Sequence, residues 1–509
     1  MLFSSIQFIC MFFPAFFLCY YVAMFFERAV ASRSSELSIK PTTAGRNFVL
    51  LVFSLFFYAM GQPENLLLIG FSIIINYVAA LLIESFYNRR RVLAGFVMAA
   101  DIIINFGLLG YYKYSGFLLS TIRSLTGASI NIPDIALPIG ISFFTFQIVS
   151  YVIDVYRRQI YAQKSIFTVA VYLVAFPQLI AGPIVRYCDI EKQLECRHET
   201  LAGVSSGLCR FIVGLSKKVI IANTVSAVAD GILSYSASEV GMLGAWIAAA
   251  AYTIQIYYDF SGYSDMAIGM GQMMGFEYLE NFNYPYGARS VTDFWRRWHM
   301  SLSSFFRDYV YIPLGGNRVS TPHWIINMAV VWTLTGLWHG AAYTFILWGV
   351  YYGVLLIAEK KLFPHFSDRH RILSRIYTLL VFTVGWVIFR TPDIGSLKST
   401  LLAMAGAFGI SGTGGVGLTV ILRRSGFGGL FIIAFLLGIL LSVAPRSPYS
   451  LRARLLSACK MPVGSIVEGK RKSSLSTIII SRLLCVILLF VCIILLQTGS
   501  YNPFLYFQF

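Results

Sequence analysis

The sequence predicts an all-α, polytopic membrane protein, and three observations predict it. Of 509 residues, 57% are hydrophobic and only 12% are charged, against roughly 25% charged in a soluble domain. The apolar residues fall in runs close to the roughly 20 residues that span a bilayer. The net charge of +17 gathers in short loops between those runs, the pattern that sets membrane orientation. A soluble fold could not hold so many apolar side chains without large exposed patches. Topology also accounts for the clustered basic residues better than a nucleic-acid partner does.

Taken in order, the apolar runs are 5–26, 47–61, 65–86, 93–115, 137–156, 166–183, 206–232, 241–275, 324–358, 373–390, 398–421, 426–445 and 475–497. About eleven crossings are expected at this length per span, with the surplus short, bent or re-entrant. The first run lacks the basic n-region of a cleaved signal, so it stays as a helix. The run 166–183 ends in Phe176-Pro-Gln-Leu-Ile-Ala-Gly-Pro183. Its two prolines predict a broken or re-entrant helix, tolerable only where protein or a water-filled cavity covers its backbone. Runs 241–275 and 324–358 are long enough to be bent or split. No linker or composition shift marks a soluble domain. Residues 1–509 read as a single membrane domain, with a core at about 100–360 and C-terminal helices at about 373–497.

Loops 27–46, 89–91 and 157–164 carry Arg28, Arg33, Lys40, Arg46, the Arg89–Arg91 triplet, Arg157, Arg158 and Lys164. They share a side if each of the first five runs crosses once. That side should be cytoplasmic, with the N-terminus outside. Loop 446–472, with seven basic residues from Arg446 to Lys472, reads the same way. The final helix then exports the tail from Tyr501 on.

Some patterns carry no chemistry. The 8 cysteines show no metal spacing, so no metal and no disulfide framework is expected. Gly203-Val-Ser-Ser-Gly207 matches a nucleophile elbow but has no α/β sheet to sit on. Gly412-Thr-Gly-Gly-Val-Gly417 matches a dinucleotide fingerprint but lacks its βαβ setting, and reads as a loop or helix end. Gly271-x-x-x-Gly275 and Gly349-x-x-x-Gly353 read as seams for close helix packing.

Two histidines stand apart from the other four, which fall in charged loops or at an interface. His299 lies in Asp293-Phe-Trp-Arg-Arg-Trp-His-Met-Ser-Leu-Ser-Ser-Phe-Phe-Arg307, an amphipathic stretch suited to an interface. His339 lies in Leu337-Trp-His-Gly340 inside an apolar run. Polar groups at membrane depth are expensive and usually have a task or a partner, and histidine suits proton transfer near neutral pH. Position alone leaves both readings of each histidine open: a packed, hydrogen-bonded ring or an anchor, against a reacting group. Asp259 and Asp265 sit in an apolar setting. Each fits a structural ion pair to Arg296, Arg297 or Arg307, or a substrate contact. Arg296 and Arg297, with Trp298 beside His299 and Trp338 beside His339, complete the candidate binding set, because arginine suits a phosphate-bearing donor.

Longer motifs add to this. They are Leu137–Gln147, Ser150–Arg157, Phe176–Pro183, Tyr258–Gly275, Asn281–Tyr286, Phe294–Arg318 and Leu337–Gly340. Together they resemble the membrane-bound O-acyltransferase family, and within it the AlgI-like polysaccharide O-acetyltransferases. The Trp295–Arg318 run is the most specific. The resemblance implies a catalytic histidine at His339, a second important histidine at His299, and helices ringed around a central funnel. It implies an acyl thioester donor reached from the cytoplasm, with acetyl-CoA as the donor substrate and no bound cofactor. The acetyl group would O-acetylate an extracytoplasmic polysaccharide such as alginate, cellulose or peptidoglycan at a bacterial inner membrane. A secreted acetyltransferase or esterase-like partner, or the polymer itself, would be the acceptor. The alternatives are D-alanyl transfer to teichoic acid, and a non-catalytic scaffold or transporter serving a periplasmic acetyltransferase.

Overall fold

In the computed structural model, every described element of the chain is helical. The described residues are 1–33, 43–179, 182–363, 369–413, 416–443, 475–499, 501–503 and 505. The basic loop 446–472 therefore lies outside them. Among the described residues, seven helices are long and apolar enough to cross a membrane, or eight if the pair Leu418–Arg424 and Gly429–Ser442, bent by 82°, is one span. Eleven crossings are not confirmed among the described residues, where several apolar runs fold as short or broken helices. The chain divides into two compact units. Among the described residues, one comprises those within Met1–Phe211 and Asp265–Leu279, and the other those within Ile212–Ser264, Glu280–Ala458 and Ser474–Phe509.

The first unit holds α1 (Phe13–Arg33), α2 (Ala44–Ala59), α3 (Leu66–Tyr87), α4 (Arg91–Thr126), α5 (Ile141–Tyr156), α6 (Ile166–Val174) and α7 (Phe176–Leu179). The break expected at the two prolines is there, and side chains meet its loose backbone groups. Pro177 cannot continue α6. The Phe176 N–H instead donates to Ser54 Oγ at 3.1 Å, and Gln178 Nε2 donates to the Tyr172 carbonyl at 2.5 Å. The Phe176 ring packs edge-on against Phe12 and Phe16, at 5.2 and 5.0 Å. After α8 (Tyr187–Glu195), α9 (Leu201–Ser216) begins in this unit. A Cβ on Gly207 would lie 2.5 Å from the Gly269 carbonyl, and one on Gly269 the same distance from the Gly207 carbonyl. The nucleophile-elbow look-alike is thus a helix-contact glycine.

In the second unit, α10 (Asn223–Leu233) precedes α11 (Ala237–Met273), whose residues up to Ser264 belong here. The glycine-rich stretch near 412 clasps the start of α11. Gly241, at φ 64° and ψ −172°, breaks α11, and the Gly409 and Ile410 carbonyls accept from the Met242 and Leu243 N–H groups just past the break, both at 3.0 Å, donors that a restarting helix leaves unmet. Gly412, at φ +81°, leaves no room for a Cβ, which would sit 2.1 Å from the Glu239 carbonyl. This loop interrupts the run read as 398–421.

The run read as 324–358 is a helical hairpin of α14 (Thr321–His339) and α15 (Tyr343–Lys361), broken at an extended Gly340. Before it come two short helices, α12 (Val291–Trp295) and α13 (Met300–Phe306). A Cβ on Gly336 would lie 2.3 Å from the Phe345 carbonyl, and one on Gly349 2.2 Å from the Trp332 carbonyl. The expected Gly349 seam is real. Gly271 differs: its missing side chain accommodates the Tyr278 ring, and Gly275, at φ +81°, turns the chain after α11. The hairpin packs against α16 (Arg371–Arg390), and α17 (Ile394–Met404), α18 (Leu418–Arg424), α19 (Gly429–Ser442) and α20 (Leu475–Thr498) follow. The unit's core is aromatic: Tyr257, Tyr286, Phe294, Trp298, Trp348, Tyr352, Phe382 and Trp386 are all buried in it.

Candidate active site

The amphipathic stretch around His299 is not one helix. The chain breaks at His299, which adopts left-handed φ 44°, ψ 55° between α12 and α13. A bulky residue there is strained, and such strain gathers at functional sites. The surroundings hold it in place. Asn281 accepts the Met300 N–H at its backbone carbonyl, 3.0 Å away. Asn281 Oδ1 accepts from the Ser301 N–H at 3.3 Å and the Ser301 hydroxyl at 2.9 Å, and its Nδ2 donates to Ser264 Oγ at 3.0 Å. A backbone N–H only donates, so the amide atom facing Ser301 is the oxygen. His299 Nδ1, 3.1 Å from that oxygen, therefore carries the proton. Nε2 is then the basic nitrogen. The ring is 1% exposed and edge-on to Phe260 at 4.6 Å. Burial lowers its pKa to about 3, so the imidazole is neutral at working pH.

His339 is the last residue of α14. Its ring meets Trp338, Trp348 and Phe389 edge-to-face at 4.9, 5.0 and 5.1 Å. Trp338 also touches the His299 ring, at 5.9 Å, so one indole is in contact with both imidazoles. Gly340 makes room for the Phe345 ring, since a Cβ there would lie 2.1 Å from it. The buried Nε1–H groups of Trp295 and Trp348 have no hydrogen-bond partner among the described residues.

The other candidate residues separate. Trp298 is walled in by Phe282, Phe294 and Trp386, at 5.0, 5.5 and 4.7 Å, which makes it a packing residue of the second unit. Arg297 pairs with Asp293 at 2.8 Å, one helical turn back. Arg296 is exposed and lines a cleft of about 830 Å³ with Arg289, Trp324 and Lys360. The two aspartates form ion pairs, but not with the arginines expected. Asp259 meets Lys218 Nζ at 2.6 Å and accepts the Leu505 N–H at 3.1 Å. Asp265, in the first unit, meets Arg210 Nη2 at 2.9 Å. The sequence offers Arg296, Arg297 and Arg307 as partners for the two aspartates. Tertiary packing instead supplied cations from α9 and the residues after it. A lysine inside the apolar run 206–232 was the signal available for Lys218.

Sequence reasoning also passed over two residues that hold α12 and His299. Asn281 is one. The other is Glu359 at the end of α15, whose carboxylate accepts the Val291 N–H at 2.6 Å and the Thr292 N–H and hydroxyl, both at 3.0 Å. It caps α12 from another helix, a role no local pattern announces.

The profile of the membrane-bound O-acyltransferase family matches residues 8–391. The chain belongs to that family. It is a multi-pass O-acyltransferase of the bacterial inner membrane. Among similar proteins is the probable alginate O-acetylase AlgI of Pseudomonas aeruginosa, 35% identical over 550 aligned positions that cover 100% of both chains. The peptidoglycan O-acetyltransferase of Helicobacter pylori is 35% identical over 398, covering 71% of this chain and 74% of that one. The teichoic acid D-alanyltransferase of Bacillus subtilis is 31% identical over 267, covering 49% and 67%.

Proposed function

We propose that this membrane protein acts as one catalytic domain that passes an acetyl group from cytoplasmic acetyl-CoA to a hydroxyl of an extracytoplasmic polysaccharide, with His339 as general base. The observation that carries this reading is the pair of imidazoles sharing Trp338 in an aromatic setting. A hydroxyl is a weak nucleophile at neutral pH. An imidazole that takes its proton as it attacks the thioester carbonyl contributes about 10²–10⁴ in rate. The proton then goes to the departing thiolate, so the step balances with no further reactant. The Trp348 N–H, on a ring in contact with His339, is a donor for the developing oxyanion. His299, neutral and fixed by Asn281, orients donor or acceptor.

The full-length similarity to proteins named for alginate acetylation favours acetyl transfer over D-alanyl transfer, whose named relatives align with about half of this chain. The acceptor is the polymer or a periplasmic carrier of the acetyl group. The basic loops 27–46, 89–91, 157–164 and 446–472 face the cytoplasm in this reading. The charged donor then stays on that side, and only the uncharged acetyl group crosses.

The test is His339→Ala in the native host, with ester content of the exported polymer and acetyl transfer from labelled acetyl-CoA as readouts. Loss of both with normal membrane insertion is expected. Wild-type ester content would remove His339 from the mechanism and leave the scaffold reading standing.

A further inference from the structure

We infer that Thr344, at the start of α15, is a catalytic residue: its hydroxyl donates to the oxyanion that forms beside His339, and with the Trp348 N–H it makes a two-point oxyanion hole on one face of one helix. The inference deepens the acetyl-transfer reading above and rests on it.

Thr344 is 0% exposed, and its Oγ1 has no hydrogen-bond partner among the described residues. Other buried threonines of this unit are answered within their own helices. The hydroxyls of Thr253, Thr335 and Thr378 donate to the carbonyls of Ala249, Val331 and Ser374, four residues back, at 2.7, 2.7 and 2.5 Å. Thr344 has no such carbonyl. Four residues back is Gly340, extended at φ −170° and ψ 160° and outside α15. The Ala342 carbonyl, at the helix start, is taken by the Phe345 and Ile346 N–H groups at 3.2 and 3.5 Å. A buried hydroxyl left unmatched is costly, so it calls for a ligand or a task.

The register of the hairpin places that hydroxyl beside His339. The Trp332 carbonyl faces Gly349, and the Trp332 side chain faces Gly353. One turn on in α14, Gly336 faces the Phe345 carbonyl and Gly349. One turn further, Gly340 faces the Phe345 ring. Each step of four residues along α14 is matched by four back along α15. His339, just before Gly340, is therefore level with the start of α15, where Thr344 is the second residue. Trp348 follows Thr344 by four residues, so the two side chains are neighbours on one helix face. The Trp348 ring lies 5.0 Å from the His339 ring, and its own N–H is unmatched. The start of a helix also carries the positive end of its dipole.

These donors suit the charge that develops. As the acceptor oxygen bonds to the thioester carbon, the carbonyl π pair moves to the carbonyl oxygen and the hydroxyl proton moves to the imidazole. When the pair returns, the C–S bond breaks and the thiolate takes that proton. Donors already held in place before the reaction stabilise the oxyanion more than the neutral carbonyl. Thr344 should therefore act on kcat.

The test compares Thr344→Val, which keeps the shape and removes the hydroxyl, with Thr344→Ser, which keeps the hydroxyl. Membrane vesicles of the native host, matched for inserted protein, receive labelled acetyl-CoA at varied concentration, and label in the polymer is counted. Thr344→Val should lower kcat about 10²-fold, leave KM for acetyl-CoA within twofold, and leave the thermal midpoint in place or raise it, because a methyl replaces an unmatched hydroxyl. Thr344→Ser should recover most of kcat. Thr344→Ala repeats the loss without the bulk of valine. Wild-type kcat in Thr344→Val or Thr344→Ala, or equal losses in Thr344→Val and Thr344→Ser, overturns the inference while an inactive His339→Ala leaves the acetyl-transfer reading standing. Wild-type transfer by His339→Ala overturns that reading, and this inference with it.

Discussion

Two buried polar regions of this molecule handle charge in opposite ways. In the first unit, Glu199 is 7% exposed and answered on all sides: Arg46 Nη1 lies 2.6 and 2.5 Å from its two oxygens, the Tyr20 hydroxyl donates to it at 2.8 Å, and Arg28 reaches it at 3.4 Å. Arg46 also pairs with Glu27 at 2.5 Å. In the second unit, His299 and His339 are wrapped in rings: Phe260, Trp338, Trp348 and Phe389. Charges that neutralise one another hold segments of chain together and have nothing left to offer a substrate. The two imidazoles meet ring edges and faces instead of opposite charges, and burial keeps His299 neutral. Burial with many charged partners marks a staple, and a histidine set among rings is the candidate for chemistry.

Substitutions sharpen the contrast, the largest effect first. His339→Gln should lower acetyl transfer about 10²–10⁴-fold with unchanged thermal stability in detergent. Equal losses of both would put His339 with the staples. Glu199→Ala should do the reverse. It leaves the buried Arg197, 3.9 Å from Glu199, without that carboxylate and Arg46 with Glu27 alone, a loss of about 3–5 kcal/mol. Activity per folded molecule should persist, and a large fall in it would blur the division. Trp348→Phe keeps the ring but removes the N–H. It should reduce kcat about 10²-fold, as removal of one oxyanion donor does, with KM for the donor little changed. Trp295→Phe, which removes another buried N–H, is the control.

A pH effect is smaller. Free histidine titrates near 6.5, and burial lowers His299 to about 3. Between those values the unfolded chain binds a proton that the folded chain does not. His299 thus contributes no penalty above pH 6.5 and costs the fold up to about 1.4 kcal/mol per pH unit below it. The midpoint of thermal unfolding should fall between pH 7 and 5.5, and His299→Gln should flatten that slope. A parallel slope in both proteins would locate the titration elsewhere. Last, Arg297→Ala removes a half-exposed pair with Asp293, worth less than about 1 kcal/mol. Its activity should stay within a factor of three, and a tenfold loss would return Arg297 to the binding set.

Much of this was legible in the sequence, for physical reasons. The helical fold and the membrane follow from composition and run length. The two histidines stood out because polar groups in apolar runs are costly. The broken helix at Pro177 and the seam at Gly349 followed from steric rules that act locally. What stayed hidden was set by tertiary contacts. Lys218 and Arg210 pair with Asp259 and Asp265 from far along the chain. The left-handed turn at His299 depends on Asn281 and on the Glu359 cap, so the segment's helical spacing misleads. The run 324–358 was long enough to be split, and it is, but the place of the break, one extended glycine, leaves no mark in its hydropathy.

The contact between α14 and α15 has a consequence for how such an enzyme can change. Bare backbone meets bare backbone at Gly336 and Gly349, so neither helix can slip along the other by a residue without driving a carbonyl into a side chain. The hairpin behaves as a strut of fixed length. Altering its reach requires insertion of matched whole turns, about 5.4 Å each, in both helices at once. Single substitutions can retune what either end holds, but they cannot move the ends apart.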